Sequence, residues 1–359
     1  MLETYSPSGS EASLATMLKT EMKSLGFDSR IDEAGNVIGT AGEEGPEILL
    51  CGHMDTVPGE IAVRLENEFL YGRGAVDAKS SLATMLIGAS RALLDSKTPL
   101  RGRLVCVVKE ETTSEGFRSV LEKGSMPHFA IFGEPSGLTN MIIGYKGRIH
   151  LQIDCATEGG HSASPWLYRN SAEEAYRFWL LLRESILENE AASKFESVTG
   201  SLTGMATSGP ENSIPSLTRL TLDVRLPPNT GPREVVGRVE SIAQSYSDQH
   251  PGVRLSTIVK DSVPPYLGDA HSKLVAACRG AIRRVSGRVP SMVKKTGTGD
   301  MNLLRSGTSA IAYGPGDSRL DHTDQERISV DEYLKSIEVY AETLKLLSRM
   351  TVPEIGLAA

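Results

Sequence analysis

Histidines and carboxylates recur in this chain where short apolar runs stop, a combination able to hold divalent cations. His53 and Asp55 follow the run Glu47-Ile-Leu-Leu-Cys-Gly, and Glu110 and Glu111 follow Arg103-Leu-Val-Cys-Val-Val-Lys. Glu134 closes His128-Phe-Ala-Ile-Phe-Gly, Asp77 sits in Tyr71-Gly-Arg-Gly-Ala-Val-Asp-Ala-Lys, and His322 lies beyond a fourth run, Thr308-Ser-Ala-Ile-Ala-Tyr. On an extended segment, residues two apart point the same way. Asp55 is therefore placed to accept the second ring N–H of a ligating His53, which would fix that ring's tautomer and orientation. Glu110 and Glu111 diverge at a strand end, one toward metal and the other toward water. Neighbouring carboxylates ending an apolar strand are costly unless a cation offsets them. If Asp77 bridges two ions, His53 and Glu134 serve one, and Glu111 and His322 the other. Such a pair would polarise a scissile carbonyl and acidify water, with Glu110 taking the water's proton and passing it to the leaving amine. Taken singly, each piece also reads as a turn aspartate, a surface histidine or a solvated loop; the full ordered set points to metal chemistry.

The elements that must carry these residues alternate. Glu11–Leu25 has apolar residues at helical spacing and ends at Gly26, whereas the runs at 47–52, 103–108, 128–133 and 308–313 are too brief for helices and read as buried strands. Lys79–Leu94 reads as a helix. This is an α/β pattern with a mixed sheet, and in such open sheets ligands gather beyond the carboxyl ends of the strands. Near Gly147 the pattern changes. Alternating strands at 149–155 and 220–226, a polar strand near 197–205 and a strand at 253–259 are interleaved with helices at 172–189 and 232–247, giving a split βαβ order. Ser171 with Glu174, and Ser329 with Glu332, fit capping boxes. The chain returns through helices at 271–285 and 330–350. The expected division is a first domain over 1–147, an inserted unit over 148–260 and the rest of the first domain over 261–359.

Composition narrows the classes further. The 359 residues carry a net charge of −7, which argues against general nucleic-acid binding. No run is apolar enough for a membrane span, and the N-terminus lacks the pattern of a secretory signal. The four cysteines are scattered through apolar patterns and read as reduced core residues, so the expected compartment is the cytoplasm. One stretch departs from the average: Lys273 to Lys295 holds seven basic residues and no acidic one. It is either the solvated face of a helix or a docking surface for an acidic partner.

Together these segments resemble the zinc-dependent deacylases and exopeptidases that include acetylornithine deacetylase and succinyl-diaminopimelate desuccinylase. The matching pieces are Gly52-His-Met-Asp-Thr-Val-Pro, Gly72-Arg-Gly-Ala-Val-Asp-Ala-Lys, Glu110-Glu-Thr-Thr-Ser-Glu-Gly, Gly133-Glu-Pro-Ser and Gly160-His-Ser-Ala-Ser-Pro. The resemblance covers nearly the whole chain. It implies two zinc ions per subunit, with cobalt able to substitute, the ligand roles above, Glu110 as general base, and an insert that acts as lid and homodimerisation surface. It also implies that His161 stabilises the oxyanion in the partner subunit's site. Arg225 and Asn212 would clamp the substrate, and the loop Gly297-Thr298-Gly-Asp300 would receive its α-carboxylate. Arg225 shares its strand face with Asp223, so a structural salt bridge is the alternative. Lys294-Lys295 and the segment Tyr313-Gly-Pro-Gly-Asp-Ser-Arg-Leu-Asp-His-Thr-Asp-Gln-Glu resemble hydrolases that release lysine or ornithine from an acidic amino-group carrier protein. That resemblance implies a carrier-linked γ-amide substrate; deacylation of N-acetyl-lysine or N-acetyl-ornithine is the rival reading. A catalytically silent protein on the same fold is a third reading, which the intact Glu110 opposes. The usual Ser of the carboxylate loop is Gly299 here, a departure that bears on how the loop holds substrate.

Overall fold

The computed structural model describes residues 1–351 except 43, 96–97, 125, 188–192 and 305–306. The chain opens with α1 (Ala12–Ser24), β1 (Asp28–Ile31), β2 (Val37–Ala41), β3 (Glu47–His53) and the short β4 (Arg64–Glu66) and β5 (Phe69–Tyr71). Next come α2 (Lys79–Leu93), β6 (Arg101–Val107), α3 (Glu115–Lys123), β7 (Phe129–Phe132) and β8 (Asn140–Tyr145). The short apolar runs are strands because both of their faces are covered. Ile48, Leu49 and Leu50 are all fully buried, as are Leu104, Val105 and Cys106.

The insert is built from β9 (Gly147–Ala156), β10 (Gly160–His161), α4 (Ser171–Leu182), β11 (Thr199–Thr207), β12 (Ser213–Ile214) and β13 (Leu217–Leu226). It closes with α5 (Pro232–Gln249), β14 (Arg254–Val263) and β15 (Tyr266–Leu267). Its four long strands form an antiparallel sheet in the order β11-β13-β9-β14. One face of that sheet supplies Ile149, Leu151, Ile153, Leu220, Leu222 and Val224 to a core shared with α4 and α5. Pro232 begins α5, where its missing N–H is no loss.

Helix α4 starts differently from the capping box read in the sequence. The cap is Asn170, whose side chain accepts from Ala172 N at 2.9 Å. Ser171 instead shares a buried hydrogen bond of 2.8 Å with Thr218, and Glu174 pairs with Arg169 and Arg177 and accepts from the Tyr246 hydroxyl. A buried carboxylate with two guanidinium partners is better satisfied there than on one backbone amide. The helix passes at Leu182 into a π turn over Arg183–Leu187, and the last two positions of the expected helix, 188–189, lie outside the described residues.

The chain returns through α6 (Lys273–Ser286), β16 (Ser291–Lys295), β17 (Ser309–Ala312), β18 (Arg327–Ser329) and α7 (Val330–Thr351). The start of α7 keeps half of its expected box. Ser329 Oγ accepts from Glu332 N at 3.4 Å, but the Glu332 carboxylate accepts from Leu138 N and Gly316 N. The large sheet runs β1-β2-β6-β3-β7-β17-β8. Its centre, β6, β3, β7 and β17, is parallel, and antiparallel strands flank it on both sides. Helices α1, α2, α6 and α7 contribute to the core of this body. Gly88 lets α2 approach α7, since a Cβ there would lie 2.5 Å from Tyr340 Cβ.

Two compact units result: Met1–Ile143 with Gly268–Val293 and the chain from Gly299, and Gly144–Leu267 with Lys294–Thr298. The basic residues Lys294 and Lys295, at the end of β16, therefore group with the insert rather than with the flanking body. Among the described residues, no helix is long and apolar enough to cross a membrane. Replacing the observed cap, Asn170→Ala, should lower stability by about 1 kcal/mol in urea unfolding. Ser171→Ala should instead leave Thr218 unpaired, costing about 1–3 kcal/mol; a neutral Asn170→Ala would return the cap to Ser171.

Candidate metal centre

The four parallel strands all end at one rim, and the rim is where acidic and imidazole side chains meet. His53, the last residue of β3, is buried and holds Nε2 3.1 Å from Asp77 Oδ1. Asp77 Oδ2 lies 3.2 Å from His322 Nε2, and that nitrogen is 3.1 Å from Glu111 Oε1. Asp77 thus stands between the two imidazoles, just before α2 and at a cis peptide with Ala78. His53, Asp77 and Glu111 each offer a ligand atom, all within 4.8 Å of one another. Glu110 and Glu134 are located by Gly299: a Cβ there would lie 3.5 Å from Glu110 Oε1 and 4.0 Å from Glu134 Oε1. Glycine at this position leaves open the space in front of both carboxylates.

Asp55 does more than its spacing suggested: its carboxylate partners the His53 ring and also serves the glutamate turn. The His53 Nδ1 contact of 3.0 Å is to the Asp55 backbone carbonyl, while the nearer side-chain oxygen is 3.5 Å away. Its carboxylate also accepts from the Ser8 hydroxyl (2.7 Å) and from the backbone N–H groups of Glu110 and Glu111 (3.1 Å each). Those amides follow Lys109, whose φ of +55° turns the chain out of β6. A single carboxylate accepting adjacent amides fixes the direction in which both glutamates leave the turn. The His53 ring is still oriented through Nδ1, with Nε2 left to face the cluster.

The electrostatics explain why a cation suits this place. Burial pushes the Glu110 carboxyl well above its ordinary range, and the charges of Glu134, Asp300 and Glu111 add to that against the pull of His53. Burial likewise pushes Asp300 up to about 7. Burial works to lower the proton affinity of His53, but Asp55 and Asp77 outweigh it and raise it well above the usual imidazole value. Hydrogen bonds to Asp77 and Glu111 carry His322 up to about 10. Burial opposes ionisation of Asp77, yet both imidazoles hold it well below the carboxylate range. Without a cation, protons on the two histidines supply the balancing positive charge. Divalent ions would take over that role with a donor set of imidazole nitrogen and carboxylate oxygen, which suits zinc and related metals. Arg73 and Glu326, which the sequence reading passed over, stand behind Asp77 as a buried ion pair at 3.0 Å. Their signal was position: Arg73 sits four residues before Asp77 and Glu326 four after His322.

The remaining expected site residues belong to the other unit. His161 lies on β10 opposite Ser213 of β12, and Asn212 O accepts from Ser162 N at 3.1 Å, so His161 and Asn212 are brought together. Arg225 shows the salt bridge left open above. Its fork is bidentate on Asp223 (2.6 and 3.1 Å), with Nη1 3.4 Å from Thr298 Oγ1. Lys295 O accepts from Lys146 N, and Lys294 Nζ stands 5.2 Å over the Phe195 ring. Gly297 is exposed, with nothing within 4 Å of where a Cβ would be.

A mixed α/β fold with such a rim defines a metal-dependent hydrolase. Residues 49–346 match the model of peptidase family M20/M25/M40, and the chain belongs to that family as a hydrolase of amide bonds. A Thermococcus kodakarensis relative, provisionally named a LysW-lysine/LysW-ornithine hydrolase, is 36% identical over 97% of this chain and 90% of its own. The LysW-lysine hydrolase of Deinococcus radiodurans is 33% identical over 95% and 93%. Among solved structures, a Staphylococcus aureus tripeptidase superposes with a TM-score of 0.82 at 18% identity, covering 97% of this chain and 96% of that one. A Bacillus subtilis dinuclear metal binding peptidase of family M20 does so at 0.74 and 14%, covering 98% and 96%. The fold is shared with both.

Because the histidines would otherwise hold protons, metal uptake should release them. Apparent affinity should therefore climb as pH rises toward about 10, where His322 would lose its proton unaided. Calorimetric titration of chelator-stripped protein in buffers of differing ionisation heat reads the protons released. Uptake near pH 7 with none released would remove His53 and His322 from the ligand set.

Proposed function

We propose that this chain is a dinuclear zinc amidohydrolase that releases lysine, and ornithine as a second product, from the C-terminal glutamate of an amino-group carrier protein, in lysine and arginine biosynthesis. The substrate rests on near full-length likeness to relatives named for LysW-linked lysine and ornithine. The chemistry rests on the convergence of His53, Asp77, Glu111 and His322 beside the half-buried Glu110. His53, Asp77 and Glu134 would hold one ion, and Asp77, Glu111 and His322 the other. When bound, the pair would supply Lewis-acid polarisation of the amide carbonyl and acidification of water. Glu110 takes the proton from the attacking water and delivers it to the departing α-amine; desolvation and the neighbouring carboxylates favour its holding that proton between the two transfers. His161 serves the oxyanion across a homodimer, and Arg225, Asn212, Gly297, Thr298, Lys294 and Lys295 hold the substrate. The enzyme works in the cytoplasm, in keeping with four free, buried cysteines.

Glu110→Gln should retain two ions per chain and lose roughly 10²–10⁴-fold in turnover, because an amide accepts no proton. Asp77→Ala should lose both ions with the activity. Metal analysis alongside kinetics checks the pair, and Asp77→Ala with full metal content and turnover would refute the assignment.

Docking of the carrier falls to the outer face of α6 and to Arg288 just beyond its end. Arg279, Arg283, Arg284 and Arg288 are all exposed, while the helix buries Leu274, Val275, Ala277, Cys278, Ala281 and Ile282. Arg284 pairs with Glu342; the other three have no ion pair among the described residues. An acidic carrier meeting a protein of net charge −7 needs such a local patch, and salt screens the attraction over about 8 Å. Reversing Arg279, Arg283 and Arg288 to Glu should raise KM for carrier-linked lysine severalfold and flatten its salt dependence, with acetyl-lysine turnover unchanged. No effect on either substrate would favour the small-molecule deacylase.

A further inference from the structure

Two of the cluster's residues are held from behind by one ion pair. Glu326 and Arg73 are 1% and 6% exposed. Glu326 Oε1 accepts from Val76 N and Asp77 N, both at 2.9 Å, and Oε2 accepts from Arg73 Nη1 at 3.0 Å. Arg73 also donates Nη1 to Thr323 O at 3.0 Å and Nε to Gly59 O at 2.8 Å. Thr323 follows His322, whose φ of +61° lies in the left-handed region that residues with a Cβ seldom occupy. The pair thus grips the backbone on the amide side of Asp77 and the carbonyl just beyond a strained His322. Their partner in the cluster, Glu111, is set independently by Asp55. His53 and Glu134 stand at the ends of β3 and β7, where the sheet places them.

We propose that Arg73 and Glu326 are positioning residues for the metal position formed by Asp77, Glu111 and His322, and that they set its affinity apart from the position of His53 and Glu134. This rests on the dinuclear reading above. Asp77 and His322, the two ligands of the second position that follow no strand directly, both hang on the pair, whereas the first position shares only Asp77 with it and keeps His53 and Glu134 if the pair is broken. A guanidinium fork is required, since one side chain must serve Glu326, Thr323 O and Gly59 O together.

Chelator-stripped wild type, Glu326→Gln and Arg73→Lys are titrated with Zn2+ by calorimetry and with Co2+ by visible absorption, with circular dichroism and Tm as checks on folding. Both variants should bind one ion within about threefold of wild type and the second 10- to 100-fold more weakly, the range for loss of a group supporting a ligand. Asp324→Ala serves as control, because Asp324 is 97% exposed and only 3.8 Å from Arg73 Nη2; it should bind both ions as wild type does. Should Glu326→Gln fail to fold, Arg73→Lys decides, since it keeps the buried charge paired. Two wild-type affinities in Arg73→Lys, equal weakening at both positions, or a control that behaves like the variants would each overturn the proposal. Wild type binding a single ion would instead overturn the dinuclear reading.

Discussion

Crowding several carboxylates together where little solvent reaches them is among the costliest things a fold can do, and the centre of this protein depends on how that cost is met. Asp55, Asp77, Glu110, Glu111, Glu134 and Asp300 crowd around two imidazoles at one rim of the large sheet. Charge of one sign in a poorly solvated place raises proton affinity or recruits cations. Both responses are visible in the directions in which Glu110, Asp300, His53 and His322 are pushed. A site arranged this way binds positive charge because its surroundings leave it little else to do.

The scaffold makes such crowding tolerable by spreading the donors over separate, rigid strand ends. Four parallel strands, each buried on both faces, deliver His53, the Glu110–Glu111 turn, Glu134 and the approach to His322 to the same edge. The finer aim is then set by carboxylates that accept from the backbone of the ligand-bearing turns. Asp55 takes the two amides of the glutamate turn, and Glu326 takes the amide of Asp77. Backbone amides are used repeatedly as handles because their direction, unlike that of a long side chain, is fixed by the fold.

The insert is organised by different means. Its sheet, core and buried polar network, Glu174 with Arg169, Arg177 and Tyr246, form a separate body with its own apolar cluster. It carries the residues that, on the proposed reading, contact substrate. The glycine at 299, in the body that holds the cluster, withholds a side chain from the space before Glu110 and Glu134.

Much of this was written in the sequence. Apolar runs too short for helices gave the buried strands, alternation gave the strands of the insert, and the order of histidines and carboxylates gave the cluster, because periodicity and strand-end position are local properties. Capping was read less well: Ser171 and Glu174 carry the right pattern for a box, but tertiary partners claim both side chains and Asn170 does the capping. Asp55 is legible as the partner of its neighbour His53, but its oxygens also reach 55 and 56 residues along the chain to the glutamate turn. Arg73 and Glu326 went unread, although both lie in the segments that carry the family resemblance. Sequence alone determined which residue types stand at the ends of which elements, since that follows from local pattern. Only the tertiary structure decided which of them meet, because a buried Arg73 bound to Glu326 across 253 positions leaves no periodic trace in the chain.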